Sequence, residues 1–153
     1  MKKCLMFAVF FANLIAFKAF AGSAVPIQLM SIQNGTKSVC SITEPFNFGS
    51  CDQCLQIIPS SPGEDTITLT VKVTEGTARR IEAVLPTGWD SPQSFLTVTY
   101  SNCTNVPTNG ICTITFRQTF SCAPNVCAEN CQTVSISADN IVGFSVRMQI
   151  GTA

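Results

Sequence analysis

Apolar and polar residues alternate with a period of two along most of the chain. Val25, Ile27 and Leu29 alternate with Pro26, Gln28 and Met30, and Ile67, Leu69, Val71 and Val73 alternate with threonines and Lys72. The same beat recurs at Ile81, Ala83 and Leu85, at Leu96, Val98 and Tyr100, and at Cys112, Ile114 and Phe116. It closes the chain at Val134 and Ile136, then at Phe144, Val146, Met148 and Ile150. Period-two alternation marks strands with one buried and one solvated face. The pattern predicts about eight or nine short strands at the spacing of an antiparallel sandwich or barrel. Glu75-Gly76-Thr77 is read as a turn after which Arg79–Leu85 pairs back on its predecessor, and Asp139-Asn140 as a turn between two strands. No ten-residue stretch carries a helical period. The face opposite the apolar one is mostly Thr and Ser, a neutral, solvated β surface.

The beginning of the chain breaks this pattern. Lys2 and Lys3 precede a nearly unbroken apolar run from Leu5 to Phe20, which ends in Ala19-Phe20-Ala21. A basic start, an apolar middle and a small-x-small end are the marks of a secretory signal peptide, here cleaved after Ala21. Asn13 and Lys18 interrupt the run, which is shorter than the ~20 apolar residues a membrane span needs. The expected organisation is a signal at 1–21, an N-terminal extension or first strand with a hinge at 22–36, and a β-sandwich domain at 37–153. The chain is then exported, to the periplasm, the cell surface or the extracellular space, with no membrane span in the mature protein.

Export changes the charge and the meaning of the cysteines. The whole chain has nine basic and nine acidic side chains. Loss of Lys2, Lys3 and Lys18 leaves six against nine, a net charge of −3. The basic residues are few and scattered, so no phosphate-neutralising patch for a nucleic acid exists. Cys4 leaves with the signal, and eight cysteines remain: Cys40, Cys51, Cys54, Cys103, Cys112, Cys122, Cys127 and Cys131. An even number in a small exported domain predicts structural disulfides. Cys103 and Cys112 flank a turn-rich stretch and are candidates to close a hairpin. Cys122 and Cys131 flank a second loop with Cys127 at its tip, which leaves Cys127 to find Cys40, Cys51 or Cys54. Cys51-Asp52-Gln53-Cys54 has CxxC spacing, but no βαβ pattern or helix start surrounds it to support redox chemistry.

Catalysis is not expected. The chain has no histidine, which excludes a Ser-His-Asp triad and a Cys-His dyad. No GxSxG elbow, phosphate-cradling glycine loop or regular calcium loop is present, and Glu64-Asp65 lie in a Pro/Gly loop as solvated carboxylates. No cofactor and no metal site is therefore assigned. Trp89, the sole tryptophan, lies in Gly88-Trp89-Asp90-Ser91-Pro92. It is read either as a ligand contact exposed on a loop or as a cap folded onto the core.

Gly22–Gly35 is the most suggestive segment. The strip Val25, Ile27, Leu29 follows the cleavage site and is joined to the rest by Gln33-Asn34-Gly35-Thr36. Cys40 comes soon after, then Pro45-Phe46-Asn47-Phe48-Gly49, then Thr-rich strands and a closing strand at Gly143–Ile150. This layout resembles chaperone–usher pilins and the related spore-coat-U-like secreted subunits of Gram-negative bacteria. The resemblance implies an immunoglobulin-like β-sandwich lacking one strand, filled by the N-terminal extension of the next subunit through β-strand addition. It implies Val25, Ile27 and Leu29 as strand-exchange residues. It also implies copies of the chain or related subunits, and a periplasmic chaperone, as partners in a fimbria-like, adhesive cell-surface structure. The alternative is a monomeric secreted binding protein or effector in which the same strip is the first strand of its own sandwich. Alternation looks the same in cis and in trans, so the sequence leaves both open.

Overall fold

In a computed structural model, residues 25–41, 53–127 and 130–152 are described. The segment read as a signal peptide, 1–21, Pro45-Phe46-Asn47-Phe48-Gly49 and Cys51 lie outside them. The described chain is all-β. Its strands are β1 (Ile27–Asn34), β2 (Lys37–Ser41), β3 (Leu55–Ile57), β4 (Thr66–Val73) and β5 (Ala78–Val84), then β6 (Leu96–Ser101), β7 (Thr104–Val106), β8 (Ile111–Gln118), β9 (Gln132–Ala138) and β10 (Ile141–Ile150). A 3-10 turn, Pro92–Ser94, precedes β6. The first sheet has the order β2-β1-β4-β8-β6 and the second β3-β10-β9-β5-β7. Every pairing between neighbours is antiparallel except that of β3 with β10.

The two sheets share one hydrophobic core. Ile67, Leu69, Val71 and Val73 of β4 and Cys112, Ile114 and Phe116 of β8 are all buried on the inner face of the first sheet. Ile81 of β5, Val134 and Ile136 of β9, and Val146, Met148 and Ile150 of β10 meet them from the second. Each such aliphatic or aromatic side chain contributes roughly 1.5–3 kcal/mol when fully buried. The outer face of the first sheet carries the hydroxyl residues: Thr68 and Thr115 are register partners, as are Thr70 and Thr113, and Thr99 and Thr115.

Strand pairing departs from the sequence reading at one place. Arg79–Leu85 does not return onto β4; the Glu75-Gly76-Thr77 turn carries the chain to the other sheet, where β5 pairs with β9 and β7. The Asp139-Asn140 turn joins β9 to β10, with φ of 51° and 67°. Two adjacent positive φ values are what a type I′ hairpin requires, and Asp and Asn tolerate them. Gly35-Thr36, in the segment read as a hinge, forms the two-residue turn of the β1–β2 hairpin. Gly35 has φ +58°, and a Cβ there would lie 1.7 Å from the Gly63 carbonyl oxygen. Its N–H donates to the Thr66 carbonyl at 2.9 Å.

Candidate interaction surfaces

Two regions draw the chemically distinctive side chains together: the first strand and one end of the fold.

The strand-exchange candidates sit at the start of the fold. Ile27 and Leu29 pair with Val73 and Val71 of β4 in the same chain. Leu29 is buried, Ile27 is half-buried, and Val25 lies just before the strand, packed against the core. A register shift between Leu29 and Ser31 divides the strand. Its second half, Ser31–Asn34, is flanked by both β2 and β4, whereas Ile27–Leu29 is paired with β4 alone among the described residues. Ile27 also reaches the second sheet: a Cβ on Gly143 would lie 2.3 Å from its Cγ1. Gly143 is thus the seat on which the Ile27 side chain rests. At the other end of β1, the Asn34 side-chain amide donates to the Gln56 carbonyl at 3.1 Å, tying β1 to β3.

One end of the fold is organised by Gln118, the last residue of β8 and fully buried. Its side-chain nitrogen donates to the carbonyls of Gly151, at 2.9 Å, and Ser94, at 3.1 Å. Its side-chain oxygen accepts from the Gly151 N–H at 2.6 Å. One side chain thereby joins β8, the loop before β6 and the chain after β10. The buried Ser94 hydroxyl lies 2.7 Å from the Trp89 carbonyl and accepts from the Leu96 N–H. Trp89 is only 1% exposed. It caps the core and presents no ring face to a ligand. The aromatic surface at this end belongs instead to Phe95 and Phe120, 44% and 63% exposed, stacked edge to face at 5.5 Å. Phe95 holds φ 54°, a region disfavoured for a bulky residue; its carbonyl accepts from the Thr119 N–H at 3.1 Å.

Neither Gln118 nor the Phe pair was singled out from sequence. Gln118 was within reach: it continues the inward row Cys112, Ile114, Phe116, where a polar residue demands partners. The Phe pair depends on two loops meeting, which no local pattern encodes.

The cysteines pair as Cys54–Cys131, Cys103–Cys112 and Cys122–Cys127. Cys103–Cys112 is the pair expected, though it links the end of β6 to β8 with β7 looping between rather than closing a hairpin. Cys122 takes Cys127, not Cys131, so the loop-flanking pair is corrected. The partner of Cys54 is distant Cys131, which removes Cys54 from any CxxC couple. Cys40 is also disulfide-bonded.

Charge is sparse. Lys37–Glu64 (3.6 Å), Arg80–Glu82 (2.9 Å) and Arg117–Asp65 (3.2 Å) are solvent-facing ion pairs, each worth little to stability. A shallow cleft of about 150 Å³ lies beside Arg80, Glu82, Tyr100 and Cys103, below the ~300 Å³ at which small-molecule sites begin. Among the described residues, no group of three His, Cys, Asp or Glu side chains is placed to hold a metal ion, and no helix is long and apolar enough to cross a membrane. Neither a family model nor a curated protein matches this chain.

Proposed function

We propose that this chain is a non-enzymatic, exported, disulfide-braced binding or structural protein whose immunoglobulin-like β-sandwich is complete within one chain. The observation that carries the reading is the cis placement of β1, paired to β4 along its length and to β2 over its second half. Strand order supports it. With β2, β3 and β7 set aside as additions, one sheet reads β1-β4-β8-β6 and the other β5-β9-β10. This order matches the A-B-E-D over C-F-G order of a constant-type immunoglobulin domain, which supports a sandwich complete within one chain. Disulfides in a domain this small fit an oxidising compartment and so an exported protein. Work done through the surface fits a chain with no histidine and sparse charge.

Deletion of Gly22–Gln33 from the mature chain separates the two modes of use. A self-contained domain loses the buried Leu29 and Ile32 along with a central strand, and fails to fold. A subunit that uses the segment only to fill its neighbour keeps a folded domain and loses polymers.

The fimbria-like reading is kept as a second because of one observation. The half of β1 that holds Ile27 and Leu29 has β4 as its one strand partner among the described residues, and the register shift after Leu29 marks where it would peel away. In that reading Val25, Ile27 and Leu29 enter the corresponding groove of another copy, guided by a periplasmic chaperone.

A further inference from the structure

We infer that β6 is a docking edge for a second copy of this chain, and that two copies join β6 to β6 in antiparallel register about Val98. A free edge strand templates pairing with another chain unless it is shortened, charged, bulged or interrupted by proline. The other outermost strands, and the open part of β10, carry such devices. β2 bears Lys37, and its pairing is broken by a register shift at Ile32/Gln33. β3 is three residues long and is followed by Pro59. β7 is three residues long, holds Asn105 at φ 50° and runs into Pro107. The part of β10 beyond β3 has a register shift between Val142 and Phe144 and carries Arg147.

β6 has none of these devices. It is six residues long, Leu-Thr-Val-Thr-Tyr-Ser, with no charge, proline or glycine. It pairs regularly with β8 over all six positions and with no strand on its other side among the described residues. Every residue type in β6 except Ser and Leu is enriched in strands.

The occupant follows from the self-complementarity of this edge. Leu96, Val98 and Tyr100 lie opposite buried Gln118, Phe116 and Ile114 of β8 and so share the inner face, while Thr97 and Thr99 lie on the outer face. Antiparallel pairing centred on Val98 places Val98 against Val98, Leu96 against Tyr100 and Thr97 against Thr99. These are the aliphatic–aromatic and Thr–Thr pairs that stabilise sheets, with faces preserved. A two-fold axis through Val98 makes the contact isologous and closed. The result is a continuous ten-stranded sheet, and the small net charge of the mature chain opposes it little.

The test is sedimentation velocity on the mature, disulfide-bonded chain from about 5 to about 500 µM, the range in which a small interface reports. The expected result is a reversible monomer–dimer equilibrium. Thr97→Lys/Thr99→Lys sets like charges opposite one another twice and weakens it by about tenfold or more. Thr97→Lys/Thr99→Glu sets opposite charges in the same register and retains the dimer. Both pairs of changes are on exposed side chains, and Trp89 fluorescence reports that each variant is folded. A wild-type chain monomeric throughout overturns the inference. So does a dimer unmoved by Thr97→Lys/Thr99→Lys, or one abolished equally by both variants. This outcome is independent of β1: an edge dimer dissolves in cold detergent, whereas a strand-exchanged polymer resists it.

Discussion

The contact between Ile27 and Gly143 ties the first strand to the last, and its energy can be read directly. A Cβ built on Gly143 falls 2.3 Å from Ile27 Cγ1 and 2.7 Å from its Cδ1. Normal carbon–carbon contact is ~3.5–4 Å, so Gly143→Ala forces the Ile27 side chain to retreat by more than an ångström. Overpacking of this kind costs about 1–3 kcal/mol. Ile27→Ala alone removes a half-buried side chain, at a cost near the lower end of the ~2–5 kcal/mol range for large-to-small changes. In the double variant the new methyl occupies space that the isoleucine vacated, so the two costs do not add. The expected coupling is about 1–2 kcal/mol in favour of the double variant. Urea unfolding of the monomeric, disulfide-intact chain measures all four corners of the cycle. Additive effects would mean that Ile27 does not rest on Gly143, and the described course of β1 would be wrong.

Three further outcomes follow from the same structure. Gln118→Ala strands the Gly151 N–H and the Ser94 carbonyl while opening a void, and should cost about 3–5 kcal/mol in urea unfolding; a loss below ~1 kcal/mol would show that this end holds together without it. Peptide mapping of the oxidised chain should recover Cys54–Cys131, Cys103–Cys112 and Cys122–Cys127, with Cys40 joined to Cys51 where cleavage after Ala21 has removed Cys4. Loop closure makes Cys54–Cys131, at a separation of 77, worth about 2 kcal/mol more than Cys122–Cys127, at a separation of 5; paired Cys→Ser variants compared by unfolding test that order. Trp89 emission should be blue-shifted and resist iodide quenching, whereas an exposed, quenchable indole would contradict its place in the core.

Strands were legible in the sequence wherever one face is buried and the other is wet. β4, β8 and β10 alternate cleanly because each packs one row of side chains on the core, and their positions were read directly. Strand partners were less legible. Glu75-Gly76-Thr77 has the chemistry of a hairpin turn, and nothing local distinguishes a chain that folds back from one that crosses to the facing sheet. β3 and β7 are too short to show a period. The cysteines were recognised as a set, but pairing depends on which loops meet: Cys131 sits nearer to Cys127 in sequence than to Cys54, yet the start of β3 and the start of β9 bring Cys54 to it. The interaction surfaces divide in the same way. Val25, Ile27 and Leu29 stood out by their alternation, whereas the free edge of β6 exists only once strand order is known.

Whether the fold closes itself is decided most directly by a denaturing gel of the native protein recovered from its host, run with and without heating. Closure by β1 in cis predicts one band near the mature mass in both lanes. A ladder in the unheated lane that collapses to the monomer on heating would contradict it, and would place the first strand of each copy in its neighbour.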